Sequence, residues 1–264
     1  MEAMHYHRPA SVAEAVKLAA SHGDDKLLAG GQSTLPSVRL GLVAPTGWID
    51  LSGLAELKGV REEGDALVIG SMTTHAEVAE SAVVRKRIPA LADLARGIGD
   101  PQVRNRGTLG GALANSDPAA CYPAAVLGLG ATIQTDRRTI PADGYFKGLY
   151  ETALEAGEVI TAVRFPVAEQ AAYVKFRQPA SRFALVGVFV ARTKSGVRVA
   201  VTGAGSHAFR VAALEAKLNA KFAPESCDGV VVPAEGLNSD LHASAEYRAH
   251  LIPVLARRAV RAAS

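Results

Sequence analysis

Two glycine-rich stretches decide how this chain is interpreted: Gly99-Asp-Pro-Gln-Val-Arg-Asn-Arg-Gly-Thr-Leu-Gly-Gly111 and Ala29-Gly-Gly-Gln-Ser-Thr-Leu-Pro36. Neither stretch has the glycine spacing of a Rossmann or P-loop motif. Because glycine lets the backbone approach a ligand closely, each stretch can present bare N–H groups to an anion. Two such stretches in one chain predict a long ligand with an anionic middle, and a dinucleotide has that form.

The composition is that of a globular protein without a nucleic-acid partner. Apolar residues make up 48% of the 264 residues, charged residues 21%, and the formal net charge is only +3. Cys121 and Cys227 form no CxxC pair, so this chain's thiolates alone can build neither a zinc site nor an iron–sulfur cluster. The N-terminus has no signal-peptide pattern and no apolar run reaches the roughly 18 residues of a membrane span. We therefore expect a cytoplasmic protein without membrane insertion.

Hydrophobic periodicity and capping signals predict strands and helices alternating up to about residue 168, and an α+β pattern after it. Capping boxes at residues 11–14 and 74–77 predict two helix starts. The predicted strands cover residues 26–29, 48–51, 66–70, 131–135, 159–165, 173–177, 184–191 and 197–202. The predicted helices cover residues 11–20, 74–81, 89–96, 208–218 and 239–262, the last kinked or broken at Pro253. Residues 118–128 are either helical or irregular, and the turn 193–196 predicts an antiparallel hairpin.

The first stretch follows a strand and leads into a helical turn that Ser33 or Thr34 can cap. The positive end of such a turn adds to the backbone donors, so a diphosphate site is expected here. The second stretch adds Thr108 and the pair Gly110-Gly111 as hydroxyl and backbone donors. Asp117 either accepts hydrogen bonds from ribose hydroxyls or caps a helix that begins at Pro118.

Neither stretch contains a Ser-His-Asp arrangement, a paired carboxylate or a metal-ligand cluster, so we expect no metal site and no catalytic side chain in this chain. His5 and His7 are expected at a mobile end, and His75 on the surface at a helix start. A dinucleotide-sized site without acid–base residues is typical of a protein whose redox cofactor carries out the chemistry.

Five motifs occur in order along the chain: Ala29-Gly-Gly-Gln-Ser33, Ile69-Gly-Ser-Met-Thr-Thr-His75, Ile98 to Gly111, Asp117-Pro-Ala-Ala120 and Lys175-Phe-Arg-Gln-Pro-Ala-Ser-Arg182. Together they resemble the FAD-binding medium subunit of molybdenum hydroxylases, the carbon monoxide dehydrogenase and xanthine dehydrogenase family. The resemblance covers nearly the whole chain. It implies an α+β protein with a two-subdomain FAD-binding fold of the vanillyl-alcohol-oxidase (PCMH) type, followed by an α+β domain with a small antiparallel sheet. The implied divisions are residues 1–56, 57–168 and 169–264.

The resemblance also implies which residues contact FAD. Both glycine stretches would hold the diphosphate. The residues Ile98, Gly99 and Val103 would line the isoalloxazine or the chain adjoining it. Asp117 would reach the adenosine ribose, and Ile160 would pack near the adenine. Either Lys175 or Arg177 would approach the flavin. The full set of implied cofactor-binding residues is Ala29, Gly30, Gly31, Gln32, Ser33, Thr34, Leu35, Ile98, Gly99, Val103, Gly107, Thr108, Gly110, Gly111, Ala114, Asp117, Ile160 and Lys175.

Two details qualify this site. Many members of the family carry aspartate where this chain has Cys121, which would leave its work to Asp117. Neither glycine stretch offers a His, Cys or Tyr side chain for a covalent link, so FAD is expected to be non-covalent.

The resemblance implies an electron relay between subunits. A large partner subunit would hold molybdopterin, a small one would hold two iron–sulfur clusters, and this chain would pass electrons through FAD to an external acceptor, in a dimer of heterotrimers. One alternative is a self-sufficient flavoprotein oxidase or reductase of the same fold, for which Tyr122, Tyr173 or Glu151 would have to act as acid or base. The other is a non-catalytic FAD-binding assembly protein.

Overall fold

A parallel three-stranded sheet opens the chain in this computed structural model, which describes residues 4–263. The sheet has the order β1-β3-β2, and α1 and α2 form its two connections. Ala15 of α1 and Ile49 of β3 are both fully buried in the core beneath it. The elements are β1 (His5–His7), α1 (Val12–Ser21), β2 (Lys26–Leu28), α2 (Thr34–Arg39), β3 (Gly47–Asp50) and two short 3-10 helices (Leu51–Gly53, Ala55–Leu57).

Two predictions for this first part need correction. His5 and His7 are not at a mobile end, since β1 pairs in parallel with Gly47–Asp50 of β3. The capping box at the start of α1 is only half formed. Ser11 accepts from the Glu14 N–H, but the Glu14 carboxylate accepts from Ala10, one residue before the cap.

The middle of the chain builds a five-stranded antiparallel sheet in the order β4-β5-β10-β6-β7, covered by helices. The predicted strand 66–70, helix 89–96 and capping box at Thr74 are confirmed. The elements are β4 (Val60–Glu63), β5 (Ala66–Gly70), α3 (His75–Glu80), α4 (Ala82–Arg87), α5 (Pro89–Arg96), α6 (Pro101–Arg104), α7 (Leu109–Asn115), α8 (Tyr122–Leu129), β6 (Thr132–Thr135), β7 (Thr139–Pro141), a 3-10 helix (Ala142–Gly144), β8 (Phe146–Gly148), β9 (Glu151–Thr152) and β10 (Ile160–Pro166).

Helix α6 lies inside the second glycine-rich stretch and α7 begins within it, whereas the sequence predicts no helix between residues 97 and 111. The Asp100 side chain caps α6 by accepting from the Val103 N–H at 2.8 Å. The Thr108 hydroxyl caps α7 by accepting from the Gly111 N–H at 3.1 Å. Asp and Thr are both favoured N-cap residues, so each short helix begins at a residue suited to it.

The last part of the chain is a four-stranded antiparallel sheet in the order β11-β12-β13-β14 with helices packed on one face. The predicted hairpin is confirmed, with Thr193 paired to Gly196. The elements are β11 (Gln170–Arg177), β12 (Ala184–Thr193), β13 (Gly196–Thr202), β14 (Phe209–Arg210), α9 (Ala212–Ala220), a 3-10 helix (Pro224–Cys227) and α10 (Ala245–Ala263). The predicted class of mixed helix and sheet, with an antiparallel C-terminal sheet, is confirmed.

The two C-terminal helices start later than predicted. Helix α9 starts at Ala212 because Phe209 and Arg210 pair with β13 instead. Helix α10 starts at Ala245 because Asp240 accepts from the N–H groups of His242 and Ala243 and holds a turn there. Helix α10 then continues through Pro253 without interruption.

Helix α8 joins the middle of the chain to the C-terminal sheet. All eight of its residues are buried, which is typical of a helix that is apolar all round. A Cβ on Gly128 would lie 2.6 Å from the ring of Phe189 in β12, so α8 and this sheet are in direct contact. The Thr202 hydroxyl donates to the Pro118 carbonyl at 2.7 Å and fixes the segment before α8. No helix within residues 4–263 has the length and apolarity needed to span a bilayer.

Candidate functional site

The two glycine-rich stretches lie against each other. A Cβ on Gly30 would collide with the Arg106 carbonyl oxygen and lie 2.8 Å from the Gly107 Cα. A Cβ on Gly111 would lie 3.1 Å from the Ala29 Cβ. Only glycine at these positions lets the two backbones approach this closely.

The first stretch presents a run of unpaired backbone donors. Between Gly30 and Thr34, no N–H group donates to any acceptor within residues 4–263. Gly31 has φ of +73°, and the chain then enters α2, where the Leu35 N–H donates back to the Gly31 carbonyl at 3.1 Å. The cap position, Ser33, makes no side-chain cap bond. Consecutive free N–H groups at a helix start form a concave site for an anion such as a phosphate.

The second stretch does not provide the bare backbone donors that the sequence predicts. The N–H of Leu109 donates to the Thr73 carbonyl at 3.1 Å, and that of Gly110 to the Ser71 carbonyl at 2.7 Å. The N–H of Gly111 is taken by the Thr108 hydroxyl. These glycines instead permit close packing, since a Cβ on Gly110 would lie 2.5 Å from the Ser71 Cβ. The second stretch thus supports the first, and any contact with a ligand here stays a prediction.

Lys175 reaches from β11 to the turn 97–99 between α5 and α6. Its Nζ donates to the Gly97 carbonyl at 2.8 Å and to the Arg182 carbonyl at 3.1 Å. Arg177 lies beside the same turn, with a guanidinium nitrogen 3.5 Å from the position of a Cβ on Gly97, but its side chain is exposed. Lys175 therefore orders this turn directly, while Arg177 lies at its edge.

Arginines complete the ring of cations around the turn 97–99. Arg104 donates to the carbonyls of Ile98 and Gly99, at 2.9 and 3.1 Å, and Arg182 donates to Gly99 at 3.4 Å. Gly99 itself has φ of +47°, and a Cβ on it would lie 2.9 Å from the Val103 side chain. The carbonyls of the turn are thus held by positive groups, which gives this corner of the site a positive potential.

Cys121 lies beside the Lys175 ammonium. Its Sγ is 3.3 Å from Nζ, and the residue is only 6% exposed. The Tyr173 hydroxyl is also buried here, and burial together with Cys121 raises the pKa of Tyr173 well above its ordinary value. Cys121 therefore helps to support the turn 97–99 through its contact with Lys175.

Asp117 forms a turn of its own and is not the cap of α8. Its Oδ1 accepts from the Ala119 N–H at 2.8 Å, whereas α8 begins at Tyr122 with Cys121 as its cap residue. Burial raises the pKa of Asp117, with the Ala119 bond acting in the opposite direction. The charge of Asp117 in turn contributes, after burial, to a raised pKa of Tyr150, which has an unusual φ of +56°.

His75 is buried beneath the second stretch, so the prediction of a surface residue is wrong. It is 5% exposed and contacts the Tyr122 ring at a tilt of 52° with centroids 5.3 Å apart, and its Nε2 would lie 2.5 Å from a Cβ on Gly107. Burial, and next the charge of Arg104, lower the pKa of His75 to about 4. The imidazole is therefore neutral near pH 7. The capping box at Thr74 already placed this residue in the first turn of α3 but said nothing of the loop above it.

The remaining predicted residues occupy varied positions. Ala114 is exposed on α7, whereas Ile160 is 6% exposed at the start of β10. Leu35 is 41% exposed in α2, and Gln32 is exposed in the first stretch.

Together, a cradle of free backbone donors, a supporting second loop and a turn held by cations are typical of a protein that binds an anionic nucleotide cofactor. Residues 2–168 match the family model described as the FAD binding domain in molybdopterin dehydrogenase. This chain belongs to that family.

Curated relatives and solved structures agree with this membership. The chain is 38% identical to the carbon monoxide dehydrogenase medium chain of Hydrogenophaga pseudoflava over 279 residues, covering 98% of this chain and 96% of the relative. It is also 38% identical to the nicotine 6-hydroxylase medium subunit of Paenarthrobacter nicotinovorans, covering 98% and 97%. Among solved structures, quinoline 2-oxidoreductase from Pseudomonas putida 86 superposes with a TM-score of 0.89 at 29% identity, covering 99% of this chain and 96% of that one.

Proposed function

We propose that this chain is the FAD-binding medium subunit of a multi-subunit molybdenum hydroxylase. In that complex it passes electrons from iron–sulfur clusters on a small subunit to an external acceptor, while a large subunit holds molybdopterin. The observation that carries the proposal is the run of free N–H groups in residues 30–34, held against the second glycine stretch. Relatives that match almost end to end and are themselves medium chains support it.

The residues around this cradle have distinct roles in the proposal. The N–H groups of residues 30–34 bind the FAD diphosphate, and Thr108, Gly110 and Gly111 hold the cradle in shape. The second carboxylate oxygen of Asp117, which accepts no hydrogen bond within residues 4–263, is available to a ribose hydroxyl. Ile160 packs on the adenine side, where it stays largely out of water.

The turn 97–99 and Val103 border the isoalloxazine in this proposal. Bound FAD would supply the redox chemistry by accepting electrons and releasing them. Lys175 and Arg104 hold the turn and place positive charge near the ring, which favours negative charge there. Cys121 lies beside the Lys175 ammonium, and the buried Tyr173 hydroxyl lies next to Cys121.

A self-sufficient oxidase is less well supported by the groups available as acid or base. Burial raises the pKa of Tyr122 and of Tyr173 far above their ordinary values, so both hydroxyls keep their protons near pH 7. Glu151 is exposed in the short hairpin β8–β9. None of the three is suited to abstract a proton from a substrate, in keeping with a relay in which the substrate binds to another chain.

The proposal extends to assembly and to domain boundaries. We assign the iron–sulfur clusters to a partner because a cluster needs several cysteine thiolates close together, whereas Cys121 and Cys227 are both buried and lie in different apolar cores. We place the complex in the cytoplasm as a dimer of heterotrimers. We also place domain boundaries near residues 56 and 168, where one sheet ends and the next begins.

The diphosphate assignment is tested by a matched pair of glycine variants. Gly30→Ala places a methyl group against the Arg106 carbonyl, whereas Gly23→Ala adds one where no atom lies within 4 Å. We expect the first variant to lose most of its FAD, measured as flavin absorbance per protein, and the second to load normally.

A third variant separates loss of binding from loss of folding. Ser33→Asp puts a carboxylate at a helix cap, where Asp is as well tolerated as Ser. It should keep the thermal stability of the FAD-free chain while lowering FAD affinity about tenfold or more, because a like charge beside a phosphate costs roughly 1 kcal/mol per charge pair even in water. Normal affinity in Ser33→Asp would contradict the placement of the diphosphate at residues 30–34.

A further inference from the structure

Two histidines and a buried aspartate meet at the edge of the first sheet, away from both glycine stretches. His5 and His7 lie on β1, and Asp25 directly precedes β2. The His5 Nδ1 is 3.8 Å from Asp25 Oδ1, and the His7 Nε2 is 3.4 Å from Asp25 Oδ2. One ligand atom from each of the three residues lies within 4.8 Å of the others.

The sheet topology brings these residues together. Strand β3 lies between β1 and β2, with Gly47 paired to His5 on one side. A Cβ on Gly47 would lie 2.6 Å both from the His5 Cβ and from Asp25 Oδ1. The absent side chain of Gly47 thus leaves the space in which the carboxylate sits between the two strands.

The cluster contains buried polar atoms without partners. The Asp25 side chain is 1% exposed, and its Oδ2 makes no hydrogen bond; the buried His7 Nε2 makes none either. The other oxygen, Oδ1, accepts from the Thr46 hydroxyl at 2.8 Å, which fixes the orientation of the carboxylate. Buried polar groups are nearly always satisfied, so this pair requires either a proton on His7 or a cation between the two atoms.

The donor set favours a cation. Two imidazoles and one carboxylate suit Zn²⁺ and similar divalent transition metals, and in a tetrahedral zinc site neighbouring ligand atoms lie roughly 3.3 Å apart. Each histidine nitrogen lies near that distance from one of the two carboxylate oxygens, His5 at 3.8 Å from Oδ1 and His7 at 3.4 Å from Oδ2, and one ligand atom from each residue lies within 4.8 Å of the others. The hydrogen bond from Thr46 provides the outer support that metal-binding carboxylates commonly have. His5 is 57% exposed, which leaves the cluster open to ions from solvent.

We propose that His5, His7 and Asp25 form a structural site for a divalent transition metal of the Zn²⁺ class. The ring of His22 lies next to the site, with its centroid 4.8 Å from that of His7. The bound ion fastens β1 to the start of β2, and β2 leads directly into the glycine stretch 29–36. This site is independent of FAD binding and of the proposed function.

The test uses the full chain without an affinity tag, treated with a chelator and then titrated with Zn²⁺ against a chromophoric competitor. We expect one tightly bound equivalent. Asp25→Asn and His7→Gln should each lower the affinity by more than about a hundredfold, beyond the roughly 10–100-fold typical of losing only a residue that hydrogen-bonds to a metal ligand. The control His242→Gln removes an exposed histidine elsewhere and should leave the affinity unchanged. Co²⁺ should give visible absorption bands of a low-coordinate site in the parent chain and in the control only.

Two outcomes would overturn the proposal. Equal Zn²⁺ affinity in all four proteins would show that binding occurs at unrelated surface groups. No binding, together with an imidazolium signal for His7 in the NMR spectrum at neutral pH, would show that His7 and Asp25 are a simple ion pair. Thermal unfolding of each variant without metal checks that the substitutions leave the fold intact.

Discussion

Glu158 offers a quantitative test of what holds the five-stranded sheet together. Its side chain is fully buried next to β10, where it accepts two hydrogen bonds from Arg138, at 3.0 and 2.9 Å. It also accepts from the Thr135 hydroxyl and the Glu155 N–H, both at 2.8 Å. The bonds from Arg138 are the main reason that the pKa of Glu158 is lowered from 4.5 to about 2, although burial acts in the opposite direction.

The lowered pKa fixes the size and the sign of the effect on stability. Since one pKa unit corresponds to about 1.4 kcal/mol, the ionised carboxylate contributes at most about 3.5 kcal/mol to folding. Arg138 is 41% exposed, so solvent screening reduces this to about 1.5–3 kcal/mol. Because the folded state prefers the ionised form, the contribution is fully present above the unfolded value of 4.5 and is lost as the pH falls toward 2.

The assay is urea unfolding of the full chain and of Glu158→Gln at a series of pH values. We expect the variant to be less stable by about 1.5–3 kcal/mol at pH 7, and the difference to shrink from about pH 4.5 downward. Glu155→Gln is the control: it removes a carboxylate of the same network that is 60% exposed, and it should cost less than about 0.5 kcal/mol. A difference between parent and Glu158→Gln that does not vary with pH would refute the electrostatic account and point to packing.

Three further predictions concern the flavin. Lys175→Met removes the ammonium that holds the Gly97 carbonyl. Because a positive charge near the ring favours the reduced flavin, the reduction potential of bound FAD should become more negative in this variant. An unchanged potential in a spectroscopic titration would mean that Lys175 acts only on the fold. Acid precipitation should leave all flavin colour in the supernatant, because we expect FAD to be non-covalent; colour in the pellet would contradict this. Hydroxylase substrates should bleach the flavin in the assembled complex but not in the isolated chain, and bleaching of the isolated chain would favour the self-sufficient oxidase.

Local sequence signals predicted the elements whose residues have a clear structural preference. Helix α5 begins at Pro89 and strand β5 is a run of buried apolar residues, and both have the predicted bounds. Helix α7 was missed because it contains Gly110 and Gly111, which lower helix propensity. The Thr108 cap and the contact between Gly110 and Ser71 compensate for this low propensity. The contact with Ser71 joins residues far apart in the sequence, so no local pattern shows it.

The candidate site shows the same division between local and long-range information. The sequence predicted one ligand bound by both glycine stretches, and the structure places the two stretches in contact, although the ligand itself stays a prediction. The burial of His75 and the convergence of His5, His7 and Asp25 were not predicted, because each depends on strands that pair across the chain. Because histidine is polar, the sequence alone predicts that His75 lies on the surface. Its burial becomes evident only when the loop that covers it is known.

The contact between α8 and the C-terminal sheet means that the matched family segment, residues 2–168, is not a self-contained folding unit. Phe189, Ala191 and Ala200 lie in the same apolar core as α8, and Lys175 ties β11 to the turn 97–99. A chain cut after residue 168 would expose the apolar surface of α8 to water and release that turn. A graft of residues 2–168 into a relative would therefore have to carry the C-terminal sheet along with it.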